Sequence, residues 1–275
     1  MFPIILRFVA ITLIIYAVII VLAWKNQERL AFPGPRSHLP EPAALGFPEG
    51  ELVSLITSDS VDIGGWFLPA LDSSTSHSPG MIWFYGNMET VDVLAPILRD
   101  LKPSWLGLLI INYRGYGESD GRPTEEGLYR DAEAAWRYMT ERHDIDSMRI
   151  AVYGRSVGSA VALYLANENP VKAIILDSPI SSAQDMADVH YRLLPKFLLR
   201  LSLDNIERAT RIDVPLLVFH GTDDRIAPVR MGRAVAEAGR ARELVLIEGA
   251  GHNDMYDRAG TEYREKMHAF LAEHL

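Results

Sequence analysis

The stretch of the chain that decides its fold is Gly154-Arg155-Ser156-Val157-Gly158. A largely apolar run, Arg149 to Tyr153, precedes it, and a segment of small and apolar residues, Ser159 to Leu165, follows it. This order predicts a strand, a tight turn and a helix, with Ser156 at the apex of the turn. A serine in that position has a strained backbone, so the residues two places before and after it must be small, and both are glycine.

A Gly-x-Ser-x-Gly pattern alone is weak evidence, because an ordinary strand-to-helix turn with an exposed serine has the same pattern. A nucleophilic serine needs a base, and the base needs an orienting acid. Asp223 and Asp224 follow the apolar run Pro215 to Phe219, and His252 lies in a glycine-rich loop after the run Glu243 to Ile247. Separately, an Asp pair is typical of a solvated turn. Together, three strand ends supply a serine, an acid and a histidine in order, which predicts a catalytic triad.

The sequence also offers two main-chain N–H groups that could bind the negative charge formed on a carbonyl oxygen under attack. One belongs to Val157, directly after the serine. The second is expected in the loop after the apolar run Met81 to Tyr85, where Gly86 allows a close approach and Asn87 is the candidate donor. A plain Gly-Asn turn is the alternative interpretation of this loop.

Six motifs together resemble those of a known family: Tyr85-Gly86-Asn87, Asn112-Tyr113-Arg114-Gly115-Tyr116-Gly117-Glu118-Ser119, Tyr153-Gly154-Arg155-Ser156-Val157-Gly158, Leu176-Asp177-Ser178-Pro179, His220-Gly221-Thr222-Asp223-Asp224 and Gly249-Ala250-Gly251-His252-Asn253-Asp254. From about residue 48 to the C-terminus, the chain resembles the α/β-hydrolase superfamily. More narrowly, it is similar to the branch of small membrane-anchored serine hydrolases that includes protein depalmitoylases. The motifs are specific for the fold and the triad, and much less so for the substrate.

The resemblance implies a role for each candidate site residue. The acid of the family's His-Gly-x-x-Asp pattern is its last residue, which selects Asp224 over Asp223. Asp177 is an alternative, because some hydrolases take their acid from the strand before the cap. The implied catalytic residues are Ser156, Asp224 and His252, and the implied oxyanion hole is formed by Asn87 and Val157. The chain departs from the family at Tyr85, where a His-Gly pair usually precedes the oxyanion asparagine, so the geometry of that loop is the part in doubt.

Apolar strands that alternate with helical stretches predict an α/β domain with a mainly parallel, doubly wound sheet and helices on both faces. An initial antiparallel hairpin is expected from Glu51 to Ser58 and Ile63 to Ala70. The resemblance implies the α/β-hydrolase fold and a short cap insert at residues 180–213, over an acyl pocket. A core crossover helix with a short extension is the other interpretation of that segment, because an apolar stripe is more often core.

Composition narrows the classes of function. The chain has no cysteine, which excludes disulfides and thiol chemistry. It has no phosphate-loop or dinucleotide fingerprint and no metal-ligand spacing, so no cofactor and no metal are predicted. A net charge of −9 argues against a nucleic-acid partner.

The N-terminus is predicted to be a separate unit, with a membrane anchor at residues 1–30, a Pro-rich linker at 31–47 and the hydrolase domain at 48–275. Phe8 to Trp24 is almost purely apolar, and with the residues before Arg7 about 20 residues are available to span a bilayer. A cleaved signal peptide is the rival, because Val21-Leu22-Ala23 resembles a cleavage site. The apolar stretch reaches that site without a polar spacer, which favours an uncleaved anchor.

Two further expectations concern the orientation and the linker. Arg7 lies on one side of the apolar stretch, and three basic residues, Lys25, Arg29 and Arg36, lie on the other. Because basic residues are more frequent on the cytoplasmic side of a membrane helix, this difference weakly favours a cytoplasmic catalytic domain. The prolines between Phe32 and Pro48 indicate a semi-rigid linker that lifts the domain off the membrane.

The expected function is that of a membrane-anchored serine hydrolase that cleaves acyl ester or thioester bonds through an acyl-enzyme. Its substrate would be a lipid, an acylated protein or a small ester. A serine peptidase or amidase is the alternative enzyme, although 275 residues leave no room for the large propeller of many such peptidases. A non-catalytic, hydrolase-like membrane scaffold is the alternative from another class. Such proteins usually lose a triad member, and this chain has all three. The sequence does not indicate an oligomeric state.

Overall fold

The computed structural model describes residues 2–72 and 76–275. Met1, the first residue of the predicted anchor, lies outside them. The strands are β1 (Glu51–Ile56), β2 (Asp62–Leu68), β3 (Ser78–Phe84), β4 (Gly107–Ile111), β5 (Ile145–Arg155), β6 (Ala173–Asp177), β7 (Leu216–Gly221) and β8 (Glu243–Ile247). The α-helices are α1 (Phe2–Lys25), α2 (Gln27–Ala31), α3 (Val91–Leu101), α4 (Glu125–Glu141), α5 (Gly158–Glu168), α6 (Ala183–His190), α7 (Asn205–Thr210), α8 (Val229–Ala238) and α9 (Met255–His274).

The strands form an eight-stranded sheet in the order β1-β2-β4-β3-β5-β6-β7-β8. β1 pairs with β2 and β2 with β4 in antiparallel fashion, and the pairs from β4 onward are parallel. Strands β3, β4, β6 and β7 are buried throughout, and most of their residues are apolar, as burial on both faces requires. The predicted hairpin and the mainly parallel sheet are therefore confirmed.

Helices pack on the sheet in two layers. In one layer α4 packs on α5, α5 on α7 and α7 on α8, while in the other α3 packs against α9. The crossovers between parallel strands consist of these helices, so the strands' carboxyl ends and the loops that follow them share one edge of the sheet. The candidate residues Ser156, Asp224 and His252 follow β5, β7 and β8 at that edge.

The segment between β6 and β7 divides into two parts. Helix α7 belongs to the core layer, and its Ala209 is fully buried. Residues 183–203, called the cap segment below, contain α6 and a short 3₁₀ helix, Lys196–Leu198. Leu193 and Phe197 in the cap segment are largely exposed. Helix α7 thus fits the core-crossover interpretation, while a cap role for the residues before it stays a prediction.

Helix α1 is exposed along most of its length. Within Ile4–Lys25 the most apolar stretch of 18 residues has a mean hydropathy of 2.9, and none of that stretch is buried inside the molecule. By length and composition this helix can cross a membrane, although a signal sequence meets the same criteria.

The chain after α2 follows the surface of the domain, which differs from the spacer expected from the sequence. Phe32 is buried, and the carbonyl of Pro33 accepts a hydrogen bond from the Met88 N–H at 3.1 Å. Pro40 O accepts one from Trp66 Nε1 at 2.9 Å. The physical reason is that an extended Pro-rich chain has free carbonyl groups, which the loops of the domain satisfy.

Candidate active site

The turn around Ser156 has the geometry that its sequence predicts. Strand β5 ends at Arg155, helix α5 begins at Gly158, and Ser156 between them has a φ of 51°. This left-handed conformation is strained for serine, and such strain collects at functional sites. A Cβ at Gly154 would lie 2.6 Å from Gly158 O, and one at Gly158 would lie 2.3 Å from Phe84 O. Only glycine fits at either position, so the strand and the helix can meet at this serine.

The structure brings Ser156, His252 and Asp224 together. His252 Nε2 lies 3.0 Å from Ser156 Oγ, and its Nδ1 lies 2.7 Å from Asp224 Oδ2. The serine hydroxyl therefore donates to Nε2, while Nδ1–H donates to the carboxylate. All three residues are less than 10% exposed. This series of hydrogen bonds is the arrangement in which a histidine can remove the proton of a serine hydroxyl.

The surroundings of Asp224 keep it ionised. Its Oδ1 accepts hydrogen bonds from the main-chain N–H groups of Ile226 and Ala227, both at 2.8 Å. Burial acts to raise the pKa of the Asp224 carboxyl, but the nearby His220 ring, the hydrogen bond from His252 and the main-chain donors outweigh it and hold that pKa well below its ordinary value. His220 in turn donates from Nε2 to Ala227 O at 2.7 Å, which fixes the loop that carries the acid.

The two other candidate acids have different surroundings. Asp223 is exposed. Asp177 is buried, and its Oδ2 accepts hydrogen bonds from Tyr153 Oη at 3.0 Å and Tyr263 Oη at 2.9 Å. Across the described residues, Asp224 is the carboxylate hydrogen-bonded to His252. The geometry therefore favours Asp224 over both alternatives.

The main-chain N–H groups of Asn87 and Val157 donate no hydrogen bond to another group within the described residues. Gly86 brings the first of them near the serine, because a Cβ at Gly86 would lie 3.3 Å from Ser156 Cβ. The Asn87 side chain is engaged elsewhere, since its Nδ2 donates to Ala31 O at 2.7 Å. Both amides flank Ser156 and can donate to a substrate oxygen there.

Tyr85, where the sequence departs from the family pattern, lies in the core instead of the site. Its hydroxyl donates to Asn112 Oδ1 at 2.9 Å, and its carbonyl accepts from Tyr113 Oη at 3.0 Å. Burial raises the pKa of the Tyr85 phenol well above its ordinary value, so it stays protonated. The hydrogen bonds of Tyr85 thus fix the start of the loop that contains the candidate donor Asn87.

Sequence reasoning missed two charged residues that join the loops of the site. Glu89 accepts a hydrogen bond from Gly86 N–H at 2.7 Å and forms an ion pair with Arg155. Arg155 Nη2 also donates to His252 O at 2.6 Å and to Asn253 Oδ1 at 2.9 Å. Burial raises the pKa of Glu89, and Arg155 opposes that rise. The sequence feature that could have indicated this role is a charged residue, Arg155, at the variable position before Ser156 in the Gly-x-Ser-x-Gly pattern.

A cavity of about 290 Å³ lies above Ser156. Its walls are mainly apolar and include Val157, Ile180 and Met186. Such a cavity suits an apolar group attached to the carbonyl that the serine attacks. No three histidine, aspartate or glutamate side chains within residues 2–72 and 76–275 are placed to hold a metal ion.

Sequence comparisons match the chain to one family and to several relatives. The model of the prolyl oligopeptidase family matches residues 109–275. The uncharacterized protein Rv2307c of Mycobacterium tuberculosis is 35% identical over 269 residues, which cover 96% of this chain and 94% of that protein. The human alpha/beta hydrolase domain-containing protein 17B is 34% identical over 165 residues, which cover 60% of this chain and 56% of that protein.

Solved structures share the fold. The Pyrococcus furiosus esterase Pf2001 superposes with a TM-score of 0.72 at 20% identity, covering 88% of this chain and 97% of the esterase. A puromycin-hydrolyzing peptidase of Mycobacterium tuberculosis superposes with a TM-score of 0.66 at 19% identity, covering 82% of this chain and 39% of the peptidase. At these identities the likeness concerns the fold, and it confirms the architecture expected from the sequence.

Proposed function

Because the chain belongs to the prolyl oligopeptidase family and has the α/β-hydrolase fold, we propose that it is a serine hydrolase that cleaves acyl ester or thioester bonds. The observation that carries the proposal is the hydrogen-bonded series of Ser156, His252 and Asp224. It lies below an apolar cavity and beside two main-chain N–H groups that donate to no other group among the described residues.

The first half of the reaction forms an acyl-enzyme. Ser156 Oγ attacks the carbonyl carbon of the substrate while His252 Nε2 takes the hydroxyl proton. The carbonyl oxygen becomes an oxyanion, which accepts hydrogen bonds from the N–H groups of Val157 and Asn87. Asp224 stabilises the imidazolium through its bond to Nδ1–H. Collapse of the intermediate breaks the bond to the alcohol or thiol, which leaves with the proton from Nε2.

The second half releases the acid. A water molecule attacks the acyl carbon, and His252 Nε2 takes one of its protons. The same two main-chain groups bind the oxyanion again. Collapse then breaks the bond to Ser156 Oγ, which recovers its proton from His252. These steps need no cofactor.

The apolar cavity and the N-terminal helix support an acyl substrate at a membrane. An acyl chain attached to the attacked carbonyl can lie in the cavity, whose walls are mainly apolar. Helix α1 is long and apolar enough to be the anchor. Lys25 ends this helix and Arg29 and Arg36 follow it, and these basic residues support a catalytic domain on the cytoplasmic side. Lipids and acylated proteins both carry such acyl groups.

A peptidase or amidase is the second candidate, because the family match and a solved neighbour carry peptidase names. The triad itself serves both reactions, so the substrate pocket must distinguish them. A non-catalytic scaffold has less support, because the hydrogen bonds that activate Ser156 are all in place.

The experiment that tests the proposal is hydrolysis of matched p-nitrophenyl esters and p-nitroanilides by the full-length protein in detergent. We expect the esters to be cleaved, with an initial burst of p-nitrophenol close to one per enzyme. Ser156→Ala should lower turnover by about 10⁶-fold while the protein stays folded. Ester turnover that survives in Ser156→Ala would contradict the mechanism. Faster cleavage of the anilides would favour the peptidase.

A further inference from the structure

The end of the membrane helix contributes side chains to the cavity above Ser156. Ile20, Ala23 and Trp24 of α1 line this cavity, as does Gln27 of α2. Positions 20, 23, 24 and 27 have the spacing of one helix face. Among residues 4–25, only Ile20 and Ala23 are partly buried, and the others are exposed. One face of α1 therefore belongs to the cavity that contains the candidate nucleophile.

Hydrogen bonds hold this helical region against the cap segment. Gln27 donates from Nε2 to Leu198 O at 2.7 Å, and its Oε1 accepts from Arg200 N–H at 2.8 Å. Nearer the middle of α1, the Tyr16 hydroxyl donates to Leu193 O at 2.6 Å. The polar groups on this side of the helix are thus paired with the cap segment, and the apolar groups between them face the cavity.

The part of the cap segment from Leu193 to Phe197, called its tip, contacts α1 at Tyr16. Tyr16 precedes Lys25 by nine residues, which corresponds to about 14 Å of helix. Leu193 and Phe197 at this tip are 82% and 86% exposed. Large apolar side chains gain nothing from exposure to water, whereas beside a membrane-spanning helix they lie in hydrocarbon. When α1 spans a bilayer, the cleft between α1 and the cap segment therefore opens within the leaflet next to the domain.

We propose that α1 is both an anchor and a wall of the active-site pocket. In this arrangement the acyl chain of an ester dissolved in the bilayer passes between α1 and the cap segment to reach Ser156. The inference rests on the proposed function and specifies its substrate class, which is long-chain acyl esters resident in the membrane. Ala23 has the smallest side chain that α1 contributes to this wall, so a larger side chain there would narrow the cavity.

The test compares two phenylalanine substitutions at adjacent positions in the full-length protein, reconstituted in phosphatidylcholine vesicles. Ala23→Phe places a ring in the cavity, whereas Leu22→Phe places one on the exposed side of the same helix. For each variant the ratio of kcat/KM for p-nitrophenyl palmitate to that for p-nitrophenyl acetate is measured. We expect Ala23→Phe to lower this ratio about tenfold or more, because misfit of a few carbon atoms in an apolar pocket has effects of that size. Leu22→Phe should leave it unchanged.

Three outcomes oppose the inference, and they are distinguishable. Equal ratios in the wild type and Ala23→Phe would show that α1 does not contact the acyl chain. An equal fall in both variants would assign the effect to anchoring instead of the pocket. Absence of Ser156-dependent acetate hydrolysis in the wild type would remove the proposed function and this inference with it.

Discussion

Asp224 and Asp177 are two buried carboxylates at neighbouring strand ends, and their hydrogen-bond partners give them different roles. Asp224 accepts from His252 and from two main-chain N–H groups. Asp177 accepts from two tyrosine hydroxyls instead. A carboxylate on His252 keeps the proton on Nδ1, so that Nε2 is free to accept from the serine. The side chain of Asp177 instead links the buried side chains of Tyr153 and Tyr263.

We expect the substitution of each acid to affect a different measurement. Asp224→Asn should lower kcat about 10⁴-fold, because the histidine then favours the wrong tautomer. Asp223→Asn is the matched control, since Asp223 is exposed one residue earlier, and its kcat should change little. Asp177→Asn should lower the midpoint of thermal unfolding more than it lowers kcat, because a buried hydrogen-bond network is disturbed. If Asp177→Asn lowered kcat more than Asp224→Asn did, the catalytic acid would be Asp177 at the end of β6, and its assignment to Asp224 after β7 would be wrong.

At the scale of elements, α1 and the Pro-rich chain after it are joined to the domain. The main-chain carbonyl of Ala31 accepts a hydrogen bond from the Asn87 side chain, and that of Pro33 accepts one from the Met88 N–H. The chain after α1 thus contacts the loop beside Ser156, and α1 itself contacts the cap segment. Cleavage of α1 as a signal peptide near Trp24 would remove Ile20 and Ala23 from the cavity wall.

We therefore expect α1 to remain in the mature protein. After extraction of membranes with sodium carbonate, the full-length protein should stay in the membrane fraction with an N-terminus upstream of Phe8, as determined by mass spectrometry of terminal peptides. Deletion of residues 1–30 is the matched control and should give a soluble protein that still hydrolyses small esters, because the triad lies outside the deleted part. A soluble mature protein that begins near Trp24 would show that α1 is a signal peptide.

At the scale of the whole molecule, the sheet was predictable because the physics that forms it is local. Strands such as β3 and β7 are buried on both faces, so each contains an uninterrupted run of apolar residues, Met81 to Phe84 and Leu216 to Phe219. The loops at the strand ends then had to lie at one edge of the sheet, which brought the three site residues together.

Other parts depended on contacts between distant positions. The Arg155 side chain joins two loops of the site, because it forms an ion pair with Glu89 and a hydrogen bond to the carbonyl of His252. The sequence around each of these residues does not indicate that they contact one another. The apolar residues of the segment before β7 did not show which of them are core and which form a cap. Prolines predicted a free spacer after α2, but the free carbonyl groups of that chain bind the domain.

The central claim is that Ser156 is an activated nucleophile. The most direct measurement is the mass of the intact full-length protein after treatment with a fluorophosphonate, followed by peptide mapping. We predict one adduct per chain, located on Ser156, and its absence in Ser156→Ala and after denaturation before treatment. His252→Ala should label far more slowly, because the base is gone. An adduct on another residue, or no adduct on the folded protein, would contradict the account.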